Sequence, residues 1–241
     1  MKIKERELEI LVLKGNLGAA RKLAYKYFDS NIRRSHKWLQ ILAEDGDTLA
    51  QYNLACDYEN GKGFRKNMPF AIKWYKSAAN KGLDSALLNL GICYAQGRGV
   101  KKDFKKAIQF YKRAASKGNR NACYNLGMYY DEGRGVKKDP SKAYVWNLKA
   151  AKKGDVEAQY KVGYFYHEGL GTKKNSSKAL YWYRKAAKGG EKYAQYNLGL
   201  HYKWGDGLPR NKNLAIKWFK LAAKQGFKRA QTRIKELKKQ K

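Results

Sequence analysis

The apolar positions of this chain fall at helical spacing and then repeat. Ala50, Leu54, Ala55 and Tyr58 lie three and four residues apart, as on one face of a helix, and Ala71, Trp74, Tyr75, Ala78 and Ala79 do so again after an interruption. The interruption is a Gly-x-Gly pair, and it returns as Gly61 with Gly63, Gly97 with Gly99, Gly133 with Gly135, Gly169 with Gly171 and Gly205 with Gly207. At each pair the helical pattern must break and reverse, so the unit is a helix hairpin. The units are evenly spaced: Gly46, Gly82, Gly118, Gly154, Gly190 and Gly226 are each 36 residues apart. The same period runs through Ala50, Ala86, Ala122, Ala158, Ala194 and Ala230, and through Tyr58, Tyr94, Tyr130, Tyr166 and Tyr202. A lone hairpin cannot bury its apolar face, so a period of this size predicts an all-α solenoid whose neighbouring hairpins stack to form the core.

Start and stop signals agree with the pattern. Asn67, Asp103, Asp139, Asn175 and Asn211 stand where each second helix must begin, and their short side chains can accept a bond from the first free backbone amides. The 36-spaced glycines suit the left-handed residue that follows a helix. Small residues such as Ala78, Ala79 and Gly91 allow close helix approach, and Trp74, Phe110, Trp146, Trp182 and Trp218 are expected to fill the space between successive units. Five full repeats span 50–229. Residues 1–49 depart from the pattern: Trp38, Ala43 and Gly46 match a second helix, but Gly15 precedes Gly46 by only 31 residues with no Gly-x-Gly between, which predicts N-terminal capping helices with a degenerate repeat. Residues 230–241 begin like a first helix and become basic at Lys235, Lys238, Lys239 and Lys241, as a polar C-terminal cap would.

The run Ala122 to Ala151 carries Leu126, Gly127, Tyr130, the Gly-Arg-Gly-Val stretch at 133–136, Lys138, Asp139, Lys142, Ala143, Trp146, Ala150 and Ala151, and it resembles the Sel1-like repeat family, a 36-residue cousin of the tetratricopeptide repeat. The resemblance covers Gly46 to about Ala230. It implies a right-handed superhelix of about six helix hairpins, in which the first helices line a concave surface that holds another protein.

Composition adds exclusions. With 43% hydrophobic residues, 3 prolines and 23 glycines, the chain is neither disordered nor collagen-like. No 18-residue apolar window spans a membrane. Met1 to Lys14 mixes acidic and basic residues around a brief apolar run, Ile10 to Leu13, which fits neither a secretory signal nor a transit peptide, so a cytoplasmic location is expected. Three cysteines, Cys56, Cys93 and Cys123, are odd in number and lack a Cys-x-x-Cys pair, so buried reduced thiols are expected rather than a disulfide framework.

Catalytic chemistry is hard to find. None of the Gly-x-Gly loops follows a strand, has a third glycine at dinucleotide spacing or reads Gly-Lys-Ser or Gly-Lys-Thr, so they read as turns rather than phosphate cradles. His36, His167 and His201 occupy different units and different positions within them, with no ligand pair on one helix and no repeated Ser or Cys partner; they read as surface or groove histidines. Asp131 and Glu132 are adjacent and so do not share a helical face. The paired cysteines of secreted relatives linked to penicillin binding or hydrolysis are absent. No catalytic residue, metal or cofactor is expected, and the chain reads as a non-enzyme.

Charge and the groove direct what remains. Lys plus Arg outnumber Asp plus Glu by 53 to 20, a net charge of +33, which attracts any acidic partner. The units starting at Ala86, Ala158 and Ala194 hold 9, 8 and 8 basic against 1, 2 and 1 acidic residues. Arg65 with Lys66, Lys101 with Lys102, Lys137 with Lys138 and Lys173 with Lys174 recur in the loops and predict a basic edge, which serves either as a solvated rim or as a track for an acidic partner. Alignment to the tetratricopeptide pattern places Asn53, Asn89, Asn125, Lys161 and Asn197 on the concave side, with Cys56, Ile92, Met128, Tyr164 and Leu200. Carboxamides can both donate to and accept from a peptide backbone. One turn on, Glu59, Ala95, Asp131, His167 and Lys203 vary freely, and Trp204 stands at a helix end where the sister units carry polar residues. The leading reading is a noncatalytic module, expected to be monomeric, whose groove binds an acidic protein or peptide. The family resemblance offers an adaptor or a toxin-neutralising immunity protein as its role. The alternative is a nucleic-acid or anionic-surface binder working through the lysine-rich edge, although no nucleic-acid motif accompanies it.

Overall fold

The computed structural model describes residues 2–27, 31–63 and 65–239, so Lys241 of the basic tail lies outside the described residues. They hold fourteen helices, α1(Lys2–Leu13), α2(Leu17–Tyr27), α3(Ile32–Glu44), α4(Thr48–Asn60), α5(Met68–Asn80), α6(Asp84–Gln96), α7(Phe104–Ser116), α8(Arg120–Glu132), α9(Pro140–Lys152), α10(Val156–Glu168), α11(Ser176–Lys188), α12(Lys192–Trp204), α13(Lys212–Lys224) and α14(Lys228–Lys239), and no strand. They form two compact units, residues 1–119 with α1–α7 and residues 120–241 with α8–α14.

Each hairpin is built from the same local devices. The first glycine of a pair caps the first helix in the left-handed region, as at Gly61 (φ 72°) and Gly169 (φ 75°), which a side chain would disfavour. The chain then returns so that the next cap residue donates its amide to the carbonyl of the repeated tyrosine. Asp103 to Tyr94 is 2.8 Å, and Asp139 to Tyr130 and Asn175 to Tyr166 are each 2.9 Å. All five predicted start signals act as caps: the side chains of Asn67, Asp103, Asp139, Asn175 and Asn211 accept from the amides of Phe70, Lys106, Lys142, Lys178 and Leu214 at 2.9–3.2 Å.

In the first unit, Leu23, Trp38, Leu42, Ala43, Ala50 and Leu54 belong to one core in which α2–α4 meet, and Trp74 packs on it from outside. The Gln51 side chain, buried, donates to the Ala43 carbonyl at 3.0 Å and so ties α4 to the helix before it. In the second unit Gln159 and Gln195 make the same bond to Ala151 and Ala187, each at 3.3 Å.

Two aromatic columns share the packing. Tyr75, Tyr111, Tyr183 and Phe219 fill the inside of their hairpins and are at most 2% exposed, whereas in the tryptophan column one position earlier Trp182 is buried and Trp74, Trp146 and Trp218 are half-buried, Trp74 against the core of the preceding helices. The reason is close contact across each hairpin: Tyr111 lies on Gly91, Tyr183 on Gly163 and Phe219 on Gly199, with no room for a Cβ at any of the three glycines. Asn147 occupies this register in α9 and bonds internally to the Ala143 carbonyl at 2.9 Å.

Candidate functional site

The predicted groove residues all lie on first helices of hairpins, and the structure separates them by what holds them. In the first unit Asn53 is exposed and borders a cleft of about 330 Å³ formed by α2, α3 and α4, together with Tyr25, Leu39 and Leu49. Asn89 instead donates its carboxamide to the Tyr75 hydroxyl at 3.0 Å. That hydroxyl also lies 2.6 Å from Glu59 Oε2 and 3.3 Å from Cys56 Sγ, and Glu59 pairs with Arg98 at 2.6 Å. The Tyr75 site is thereby sealed, and burial pushes its ionisation far above the ordinary tyrosine range.

In the second unit Asn125 is half-buried, Lys161 pairs with Asp131 at 3.2 Å and Tyr164 is 37% exposed. Lys203 is not a free groove cation. It is 6% exposed, lies over the Trp204 ring and reaches Glu236 of α14 at 3.0 Å, because α14 covers this end of α12 with a carboxylate. Trp204 itself is 66% exposed.

His167, Asn197 and Trp204 converge on a pocket of about 180 Å³ that also takes in Tyr183, Leu200, His201 and the acidic Asp206. The His167 and His201 rings are 6.4 Å apart and nearly perpendicular, and Tyr183 lies 6.0 Å from His201. His167 and His201, expected as surface or groove histidines, share no helix, so no spacing in the sequence pairs them. They meet because a separation of 34 residues is almost one repeat, which sets them side by side on successive first helices. His36 is likewise corrected: it is no surface or groove residue but 1% exposed, with Nε2 2.7 Å from Asp57 Oδ2. Burial raises the Asp57 carboxyl above its ordinary range, and His36 opposes that shift.

Every residue of the predicted basic edge, Arg65, Lys66, Lys101, Lys102, Lys137, Lys138, Lys173 and Lys174, is exposed. Cys56, Cys93 and Cys123 are free thiols, and burial pushes Cys93 up to about 11. Among the described residues no group of three or more His, Cys, Asp or Glu is placed to hold a metal ion, and no helix is long and apolar enough to cross a membrane.

Short helical hairpins stacked at a constant period define an all-α solenoid protein. Six consecutive stretches, 18–47, 48–83, 84–119, 120–155, 156–191 and 192–227, match the Sel1 repeat, and the chain belongs to the Sel1 repeat family. A protective antigen of uropathogenic Escherichia coli with the same fold is 34% identical, with a TM-score of 0.89 over 95% of this chain and 50% of that one, so this chain spans half the antigen's length. A Sel1 repeat protein from Oxalobacter formigenes is 36% identical, with a TM-score of 0.73 over 86% of this chain and 85% of that one. No curated protein matches the sequence. Sel1-repeat proteins are protein-interaction modules, and their scaffolds are generally non-catalytic.

Proposed function

We propose that this chain is a noncatalytic binding module in which the exposed side chains of the first helices hold a protein or extended peptide, acidic in character. The observation that carries the reading is the division of labour along those helices. Positions that close the hairpin repeat with the period, while those six residues beyond the Asn column change from repeat to repeat as Glu59, Ala95, Asp131, His167 and Lys203, and Trp204 stands 66% exposed on a well-capped helix. A large rigid aromatic at low conformational cost is what a binding anchor needs. The net charge of +33 selects acidic partners and speeds their encounter. An adaptor and a toxin-neutralising immunity protein would use this surface alike, the second by covering the toxin's working face.

The test is affinity capture from the native host at low and at about half-molar salt, with a nuclease-treated control. Retention of one protein at the higher salt, followed by a loss of affinity of about tenfold or more in Trp204→Ala or Tyr164→Ala, supports the groove. Unchanged affinity in both variants removes it. The eight exposed residues of the basic edge favour a second reading, binding of nucleic acid or another anionic surface. It predicts a nuclease-sensitive mixture lost as salt rises, by about one log unit per log of salt for each phosphate contacted.

A further inference from the structure

We propose that the pocket bordered by His167, Tyr183, Asn197, His201 and Trp204 receives one carboxylate side chain, a glutamate or aspartate of the protein partner. The inference rests on the protein-binding reading above and assigns the chemistry of a particular point on that surface.

The first observation is a comparison between repeats. Three periods separate Tyr183 from Tyr75, Asn197 from Asn89 and His167 from Glu59. At Tyr75 the hydroxyl is surrounded by Asn89, Glu59 and Cys56. At Tyr183 the glutamate is replaced by His167 and the cysteine by Tyr164. No hydrogen bond to the Tyr183 hydroxyl, in a residue 1% exposed, is fully formed among the described residues; the Asn197 carboxamide comes close enough to oppose the rise that burial gives its ionisation, without closing the geometry. A buried hydroxyl without a partner costs stability, so its retention beside an open pocket points to a ligand that completes it.

The second observation is His201, 6% exposed in the same pocket. Its Nδ1 lies 2.7 Å from the Asp206 carbonyl oxygen, which can only accept, so Nδ1 carries a proton. The Asp206 carboxylate lies 3.5 Å from the same nitrogen. Nε2, on the opposite edge of the ring, has no partner among the described residues.

The available groups select the ligand's charge. The Tyr183 hydroxyl, the Asn197 amide and the Trp204 indole N–H are donors and the chain's net charge is strongly positive, while the one acidic side chain of the lining, Asp206, sits against His201 Nδ1, on the ring edge opposite the free Nε2. Aromatic walls could in principle suit a cation, but the Lys203 ammonium already sits 4.5 Å from the Trp204 ring centroid and would repel a second positive charge. A carboxylate accepts from the donors, while Leu200 and the indole face cover its methylenes.

The experiment needs no partner. The full chain is titrated with N-acetyl-glutamate N-methylamide, with its glutamine counterpart and with the lysine counterpart, while NMR follows the histidine ring and tryptophan indole signals. We expect saturable shifts at His167, His201 and Trp204 with the glutamate probe, with a dissociation constant on the order of a few millimolar for so small a ligand, and at least fivefold weaker binding of the other two. Tyr183→Phe should weaken the glutamate probe by about tenfold. It should also fold, since Phe219 occupies the same register. Equal binding of the glutamate and glutamine probes, preference for the lysine probe, or an unchanged affinity in Tyr183→Phe would overturn the proposal. Capture of a protein partner together with failure of the glutamate probe would leave the groove reading standing and remove this pocket from it. Binding of the probe without any captured protein would keep the pocket's preference for a carboxylate but remove a protein partner as its source, and with it both the groove reading and the occupant named here.

Discussion

Replacing Gly171 by alanine should cost far more than the same change at Gly154, and the structure says by how much. Both glycines have positive φ, 64° and 85°, in the region that a Cβ disfavours by about 1–2 kcal/mol. Alanine also restricts the unfolded chain, which offsets roughly 0.4–1 kcal/mol of that strain. At Gly154 nothing lies within 4 Å of an added Cβ, so the net loss should be about 1 kcal/mol. At Gly171 the Cβ would stand 2.2 Å from the Pro140 oxygen, 2.3 Å from the Pro140 carbonyl carbon and 2.6 Å from the Ser141 nitrogen. These are backbone atoms at the start of α9 and cannot swing aside, so overpacking adds about 1–3 kcal/mol, for a total of about 2–4. With a urea slope of about 2 kcal/mol/M, the unfolding midpoint should fall by roughly 0.5 M in Gly154→Ala and by 1–2 M in Gly171→Ala at unchanged slope. Equal midpoint losses would refute the reasoning, because they would mean that only the dihedral matters and that the loop after α10 does not press on the start of α9.

Other outcomes follow from the same geometry. His36→Phe should destabilise the fold by about 3 kcal/mol by leaving the Asp57 carboxylate buried without its partner, and adding Asp57→Asn should recover a large part of that loss in a double-mutant cycle. Asn175→Ala should cost about 1 kcal/mol by freeing the Lys178 amide, whereas Asn175→Asp should be nearly neutral in the same thermal melts. Cys93, held to about 11 by burial and then by Glu59, is protonated at neutral pH. Its labelling by a disulfide reagent in the folded chain should be slower than in urea by about a hundredfold and should rise about tenfold per pH unit up to that value. A rate that stays flat with pH would contradict a buried, protonated thiol.

Fold and candidate site are legible in the linear chain to different degrees. Period, hairpin, caps and left-handed glycines are local: Asn67 or Asp139 accepts an amide three residues on, and Gly61 or Gly171 takes its dihedral, whatever lies across the hairpin, so residue type and spacing sufficed for an all-α solenoid of the Sel1 repeat family. Which side chain fills the hairpin was not local. Tyr75 and its equivalents, rather than the neighbouring tryptophans, lie against the facing helix because the crossing of two helices decides which of two adjacent aromatic residues faces inward.

The candidate site followed the same division. Asn197 and Trp204 were legible as departures or regularities in a column, but the meeting of His167 with His201, the burial of Lys203 against Glu236, and the contrast between a saturated Tyr75 and an unsatisfied Tyr183 each depend on a neighbour 14 to 34 residues away. A repeat sequence specifies each hairpin nearly by itself, through short-range hydrogen bonds and steric limits on φ. Only stacking brings successive first helices side by side and sets which polar atoms find partners and which do not.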